Sequence, residues 1–238
     1  MTTFLLDSSK RDQTLFPVNN DWTINFSQNY QKIHKIKFLG GFLCNSQYII
    51  NANNKTITVN YLGVNYPLTL PEGNYTPISL SAQIQATLNT NSFAGTFTIT
   101  SSTLTNKLTF ACNLPVIYRF SLNVSLGRIT GFSSTDTVAT TNIIAQNVFQ
   151  ITTTRYYTVF MKEIISGYDV SVSGHTFLIP NNVNAGEYCF ISPSTNINNS
   201  IDFPQKNIQR LSIKIYDEDG FLVLFNGAEY SLILHFDH

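Results

Sequence analysis

Few residues in this chain have types and spacings that could do chemistry. The four histidines are His34, His175, His235 and His238, and only the last two have another ligand type close by. His235, Asp237 and His238 have a spacing that could hold a surface metal ion, but a solvated chain end is by far the commoner explanation of such a trio. Asp217-Glu218-Asp219-Gly220 opens like a calcium loop. Where that loop needs a bidentate Glu, this sequence has Ala228. The three cysteines, Cys44, Cys112 and Cys189, are odd in number, far apart and beside apolar residues, so they read as buried free thiols in a reducing compartment. There is no Gly-x-Ser-x-Gly elbow, and Gly40-Gly41 does not precede a helix carrying a Lys. The acidic residues are spread through turns. No catalytic residue, cofactor-binding residue or metal ligand is therefore assigned, no cofactor is expected, and the chain is not expected to be an enzyme.

The elements that would position any such residue are almost all strands. In the C-terminal stretch Leu211, Ile213 and Ile215 alternate with Ser212, Lys214 and Tyr216, the period of a strand with one buried face. Asp219-Gly220 and Asn226-Gly227 supply turns, and Tyr230, Leu232, Leu234 and Phe236 share one face. Three antiparallel strands are expected there, 211–216, 221–225 and 230–236. Further strands are expected at 4–7, 22–26, 33–43, 48–51, 56–61, 66–70, 96–100, 107–111, 116–122, 148–151, 156–164, 175–179 and 187–191. Residues 48–51 and 56–61 read as a hairpin, as do 96–100 and 107–111, with Phe97, Ile99, Leu108 and Phe110 facing in. Gly40-Gly41 marks a bulge or bend. Residues 126–132 read as a compact glycine turn, and 133–146 and 192–205 as loops.

One helix is expected, near 77–89. Thr76 suits its N-cap and Pro77 its first position, and Leu80, Ile84 and Leu88 fall on one stripe. Short strands, one helix and frequent turn residues predict an all-β fold: a single jelly-roll β-sandwich of two antiparallel sheets. One domain is expected over 1–238, with residues 1–20 as an N-terminal arm, because Pro17 and a polar run follow 4–6.

Composition narrows the function classes. Only 12% of the 238 residues are charged, about half the roughly 25% of a usual soluble domain, and Lys+Arg 14 balances Asp+Glu 14. With no basic run, direct nucleic-acid binding is not expected. No apolar run reaches the ~20 residues of a membrane helix. The start, MTTFLLDSSKRD, does not read as a signal peptide. The sequons at Asn25, Asn54, Asn74, Asn123 and Asn198 therefore carry little weight. A chain this short of charge suits one packed against other subunits. Aromatic residues, 12 Tyr and 18 Phe, could also build a sugar-binding surface, although alternation explains them as core.

Four stretches resemble the penton (vertex) and related minor capsid proteins of large icosahedral double-stranded DNA viruses and virophages. They are Phe4-Leu5-Leu6-Asp7-Ser8-Ser9-Lys10-Arg11-Asp12; residues 33–45 leading into Ser46-Gln47-Tyr48; Leu70-Pro71-Glu72-Gly73-Asn74-Tyr75 with the helix after it; and residues 213–236 with Asp217-Glu218-Asp219-Gly220 and Phe225-Asn226-Gly227. Residues 133–207 carry no matching motif. The resemblance implies a homopentamer closing the fivefold vertices of a capsid in the virion, beside trimers of a double-jelly-roll major capsid protein and assembled in the host cytoplasm. Minor capsid or vertex-attached proteins would be further partners. The alternative is a minor capsid or spike-type jelly roll that binds a receptor or glycan through loops such as 133–146 or 195–205. A cupin-like enzyme would need clustered His and Glu, which the scattered histidines do not provide.

Overall fold

The computed structural model describes residues 2–151, 154–164, 177–192 and 200–238. The chain runs β1 (Thr2–Asp7), β2 (Asp21–Cys44), β3 (Thr56–Tyr61), β4 (Val64–Thr69), α1 (Pro77–Leu88), β5 (Phe97–Ser102), β6 (Lys107–Tyr118) and α2 (Val124–Thr130). It continues through β7 (Thr140–Ile144), β8 (Tyr156–Met161), β9 (Phe177–Pro180), β10 (Tyr188–Ile191), β11 (Ser200–Tyr216) and β12 (Ser231–Asp237). The fold is mostly β, with antiparallel strands in two sheets and two short helices. Where one domain was expected, the chain divides into two compact units. Unit 1 is Met1–Gln47 with Thr153–His238, and unit 2, Tyr48–Thr152, is inserted between its halves.

Unit 1 has the strand order β1-β12-β2-β11-β8-β9, with β10 also paired to β2. The 24-residue β2 organises it. One side of β2 takes β12; the other takes β11 and then β10. Where β10 and β12 flank it, side chains have no room. A Cβ on Gly40 would lie 2.8 Å from the Ile191 carbonyl oxygen, and one on Gly41 only 2.2 Å from that of Ser231. Both glycines hold positive φ, +143° and +154°, and the β12 register shifts beside them. The expected bulge is thus present, but 22–26 and 33–43 belong to one strand. Polar side chains bridge the gap between them. Lys32 has φ +58° and gives its N–H to Asn207 Oδ1, while Gln205 Nε2 donates to the Lys32 carbonyl.

The buried faces of these strands form one core, including Trp22, Ile36, Phe38, Val159, Ile213, Ile215, Leu232 and Leu234. Residues 1–20 are not an arm standing away from it. β1 pairs with β12 along its whole length, Leu6 is buried, and Phe4 packs among Phe26, Tyr30 and Phe236 at 4.7–4.9 Å between ring centres. The polar composition that suggested an arm serves instead to fasten the segment down.

Of the three C-terminal strands expected, β11 and β12 form, and both have other partners. Residues 221–225 make only the isolated bridge of Leu222 with Tyr216, although Val223 and Phe225 are buried. Two turns close together leave no length for a ladder. His175 and residues 193–199 of the expected long connection lie outside the described residues.

Unit 2 has the strand order β4-β3-β6-β5, with β7 also on β6. β3 pairs with β4 through Leu62-Gly63, both at positive φ, and not with 48–51. A leucine at the left-handed position gave no turn signal in the sequence. Ile50 instead bridges Gly73. α1 covers β5 as its stripe requires, burying Leu80, Ile84 and Leu88. Thr76 and Ser79 cap it reciprocally. The helix also protects the edge of β5: Gln85 Oε1 accepts the Ile99 N–H at 2.9 Å, and Asn89 Oδ1 accepts that of Phe97 at 2.7 Å. The other edge, β4, carries Pro67, which has no N–H to offer. Residues 126–132 are largely α2, capped by Asn123 and ended by Gly131 at φ +81°, and not a glycine turn. The expected strand 116–122 ends at Tyr118 and becomes a 3-10 turn, 148–151 is not a strand, and the loop 133–146 contains β7.

Candidate functional site

The chemistry-bearing residues do not converge. His235 Nδ1 meets Thr3 Oγ1 at 2.9 Å, and its Nε2 lies 3.1 Å from Asp237 Oδ1. The other Asp237 oxygen binds Lys37 at 2.6 Å, and that hydrogen bond holds its carboxyl below the usual range. His238 turns to the Gln31 carbonyl at 3.0 Å, so the terminal trio is split. His34 is exposed on β2. Among the described residues no three His, Cys, Asp or Glu side chains are grouped to hold a metal. All three cysteines are buried and free, and burial pushes the thiols of Cys112 and Cys189 upward, away from the reactive thiolate.

The acidic turn does a structural job that its spacing concealed. Asp217 is buried; its Oδ1 accepts the N–H groups of Asp219 and Phe221, and its Oδ2 accepts Gln47 Nε2 at 3.1 Å. Burial raises its carboxyl above the ordinary value. The next residue, Glu218, holds Arg155 Nε at 2.5 Å and gives its N–H to Thr154 Oγ1 at 3.2 Å. Gln47 is the last residue before the chain leaves unit 1, and Thr154 and Arg155 are among the first after it returns. One turn therefore clasps both crossings.

The remaining motif residues are also joints. Arg11, with a side chain only 7% exposed, ion-pairs with Glu229 at 2.7 Å and donates to the carbonyls of Ser8, Phe16 and Pro17. Ser8 Oγ and Asn19 Nδ2 also donate to Glu229. Burial would raise the Glu229 carboxyl, but hydrogen bonds from Ser8, Arg11 and Asn19 outweigh it and leave the group below its usual range. Asn45 accepts from Tyr157 OH at 3.1 Å, and Ser46 exchanges bonds with the Phe225 carbonyl and Asn226 Nδ2. In 70–75, Glu72 ion-pairs with Lys55 at 2.8 Å, Gly73 exchanges two backbone bonds with Ile50, Asn74 Oδ1 accepts from Ile49, and Tyr75 OH donates to Pro71.

The surface also carries apolar side chains. Phe42, Tyr188 and Phe190 are 44%, 58% and 78% exposed on the paired strands β2 and β10. Phe42 and Tyr188 stand edge to face at 6.2 Å. On β8, β11 and β9, Phe160 and Tyr216 form another edge-to-face pair at 6.2 Å, with Leu178 40% exposed. Of these residues alternation places only Tyr216 off the core, opposite Leu211, Ile213 and Ile215, and reading the aromatics as core does not hold for the others.

The sequence matches the model of a family described as a family of unknown function (DUF5901) over residues 2–207, and the chain belongs to that family. No curated protein matches it. Among solved structures it is similar to the crystal structure of a selenomethionine-labelled mavirus penton protein, at 10% identity and a TM-score of 0.49, over 99% of this chain and 98% of that one. Among the described residues no helix is long and apolar enough to cross a membrane.

Proposed function

We propose that this chain is a structural subunit of an icosahedral virus capsid, acting as a penton that closes the fivefold vertex. The observation that carries the reading is the use of the four motif stretches. Residues 4–12 are bonded to Glu229 and Tyr230, residues 45–47 to Asp217, Phe225 and Asn226, and residues 70–75 to Ile49 and Ile50. Motifs used in this way define a shape and not a reaction. In this reading the work done is geometric: a ring of five fills the gap left by pseudo-hexagonal trimers of a double-jelly-roll major capsid protein. A surface of polar uncharged groups and apolar patches supports burial against other subunits.

Density of the intact particle tests the reading. The expected result is this chain around the fivefold axis. Finding it at threefold or hexavalent positions would overturn the penton role in favour of a minor capsid one. Its absence from purified particles would overturn both.

A further inference from the structure

Asn226-Gly227 is the one Asn-Gly step in the sequence. Both residues are exposed at the centre of a tight reversal, at φ +49° and +84°, which the Ala228 N–H closes by donating to the Phe225 carbonyl at 2.9 Å. A carboxamide followed by glycine has a nucleophile next to it in the chain, the nitrogen of the glycine. Gly227 has no side chain to shield that nitrogen. Beyond the adjoining residues, no atom lies within 4 Å of where its Cβ would stand. Among the described residues its N–H bonds to nothing.

Two bonds to Ser46 keep the carboxamide from that nitrogen. Asn226 Nδ2 donates to the Ser46 carbonyl at 2.7 Å, and Ser46 Oγ donates to the Phe225 carbonyl at 2.6 Å. The first holds the carboxamide out towards residue 46, and the second fixes the backbone on which it stands. Ser46 lies between Asn45, which accepts from Tyr157 OH, and Gln47, which donates to Asp217. The joint between 45–47 and 225–226 therefore decides whether the side chain of Asn226 is free to turn back on its own backbone.

We propose that Asn226 is a site of spontaneous deamidation, and that the change is a one-way latch on this joint. When the joint opens, the Gly227 nitrogen attacks Asn226 Cγ. A new N–C bond forms, the bond from Cγ to Nδ2 breaks, and ammonia leaves with the proton of the Gly227 N–H. Water then opens the cyclic imide at either carbonyl, which leaves Asp or isoaspartate at 226. Neither product remakes the joint. A carboxylate oxygen stands where an N–H donated, facing at 2.7 Å a carbonyl oxygen that only accepts. The isoaspartyl linkage also adds a methylene to the main chain at the centre of the reversal that Ala228 closes. The inference is independent of the capsid reading.

Incubation of the full chain in mildly alkaline buffer, followed by digestion and mass spectrometry, tests this. The peptide holding residue 226 should convert from Asn to Asp mass, and an isoaspartyl methyltransferase should label part of the product. Ser46→Ala leaves the Asn-Gly step intact and removes one of the two bonds. Deamidation at 226 should then run about fivefold faster, because a lost hydrogen bond raises the open fraction by roughly that factor. No conversion at 226 in the folded chain, over a time in which the denatured chain converts fully, overturns the site. Equal rates in the wild-type chain and Ser46→Ala overturn the gating by the joint. Asn226→Asp tests the latch directly: its Ala228 amide should exchange about tenfold faster than in the wild-type chain. Exchange at the wild-type rate would mean that the joint tolerates the carboxylate, and would overturn the latch.

Discussion

Unit 1 and unit 2 pair their strands in opposite ways. Unit 1 joins residues from the two ends of the chain: Thr2 lies opposite Phe236, and Asp21 opposite Lys214. Unit 2 pairs near neighbours, β3 with β4 and β5 with β6, and protects the edge of β5 with α1, the helix just before it. Closing a long loop costs conformational entropy before any contact offsets it, so the first arrangement depends on tight joints and the second does not. The joints are where that dependence shows. Unit 1 holds Arg11 with Glu229, Trp22 with Tyr230 and Asn45 with Tyr157 across chain separations of more than a hundred residues. Unit 2 relies on caps and turns such as Thr76 with Ser79.

The comparison is broken most severely by removing residues 231–238. β12 lies between β1 and β2, so its loss exposes two strand edges and removes Leu232, Leu234 and Phe236 from the core. Hydrogen exchange should then show unit 1 unprotected and the amides of unit 2 still slow; loss of protection in both would show that unit 2 depends on unit 1. Next comes Phe110→Ala. Phe110 is fully buried in the core of unit 2, so the substitution should cost about 3–5 kcal/mol there. Denaturation followed by exchange should leave unit 1 amides near their wild-type protection.

Glu229→Gln is milder and depends on pH. It removes charged hydrogen bonds to Arg11 and should cost unit 1 about 1–3 kcal/mol at neutral pH. The folded Glu229 pKa lies below the ordinary 4.5, so its contribution is complete above that value and is lost as pH falls through the folded pKa. The variant should therefore lose less stability than wild type on acidification. Asp217, raised above 3.8, acts with the opposite sign: its contribution is complete below 3.8 and is lost as pH rises through the folded pKa. An acid denaturation curve of the variant matching wild type would refute the role given to Glu229. The smallest effect expected is Thr76→Ala, which removes the N-cap of α1 and should destabilise unit 2 by about 1 kcal/mol, read from its unfolding midpoint.

Local patterns carried most of what was legible in the sequence. The stripe of Leu80, Ile84 and Leu88 and the cap at Thr76 specify α1, and alternation in 97–99 and 108–110 places the right residues in the core of unit 2. Pairing across the chain was not legible. Nothing within 231–237 says that its neighbours are β1 and β2, because register over such distances is settled by the whole core and not by any turn. The acidic turn reads in the sequence as a solvated turn, and its burial is hidden for a related reason: the partners of Asp217 and Glu218, Gln47 and Arg155, lie 170 and 63 positions away.

That turn has a consequence for what unit 1 can carry. Because Asp217 and Glu218 are adjacent, the residues they hold, Gln47 on departure and Thr154 and Arg155 on return, leave and re-enter unit 1 at nearly one point. In unit 1 the two openings of the chain therefore lie side by side, a socket in the sense of chain connectivity, with 48–152 as the cassette spliced between them. Any segment whose own ends lie close together should fit the same socket, and a short glycine-serine bridge replacing the cassette should leave the core around Trp22 and Leu232 folded. Diversity in such a chain would then accumulate by exchange at the socket, with unit 1 kept constant.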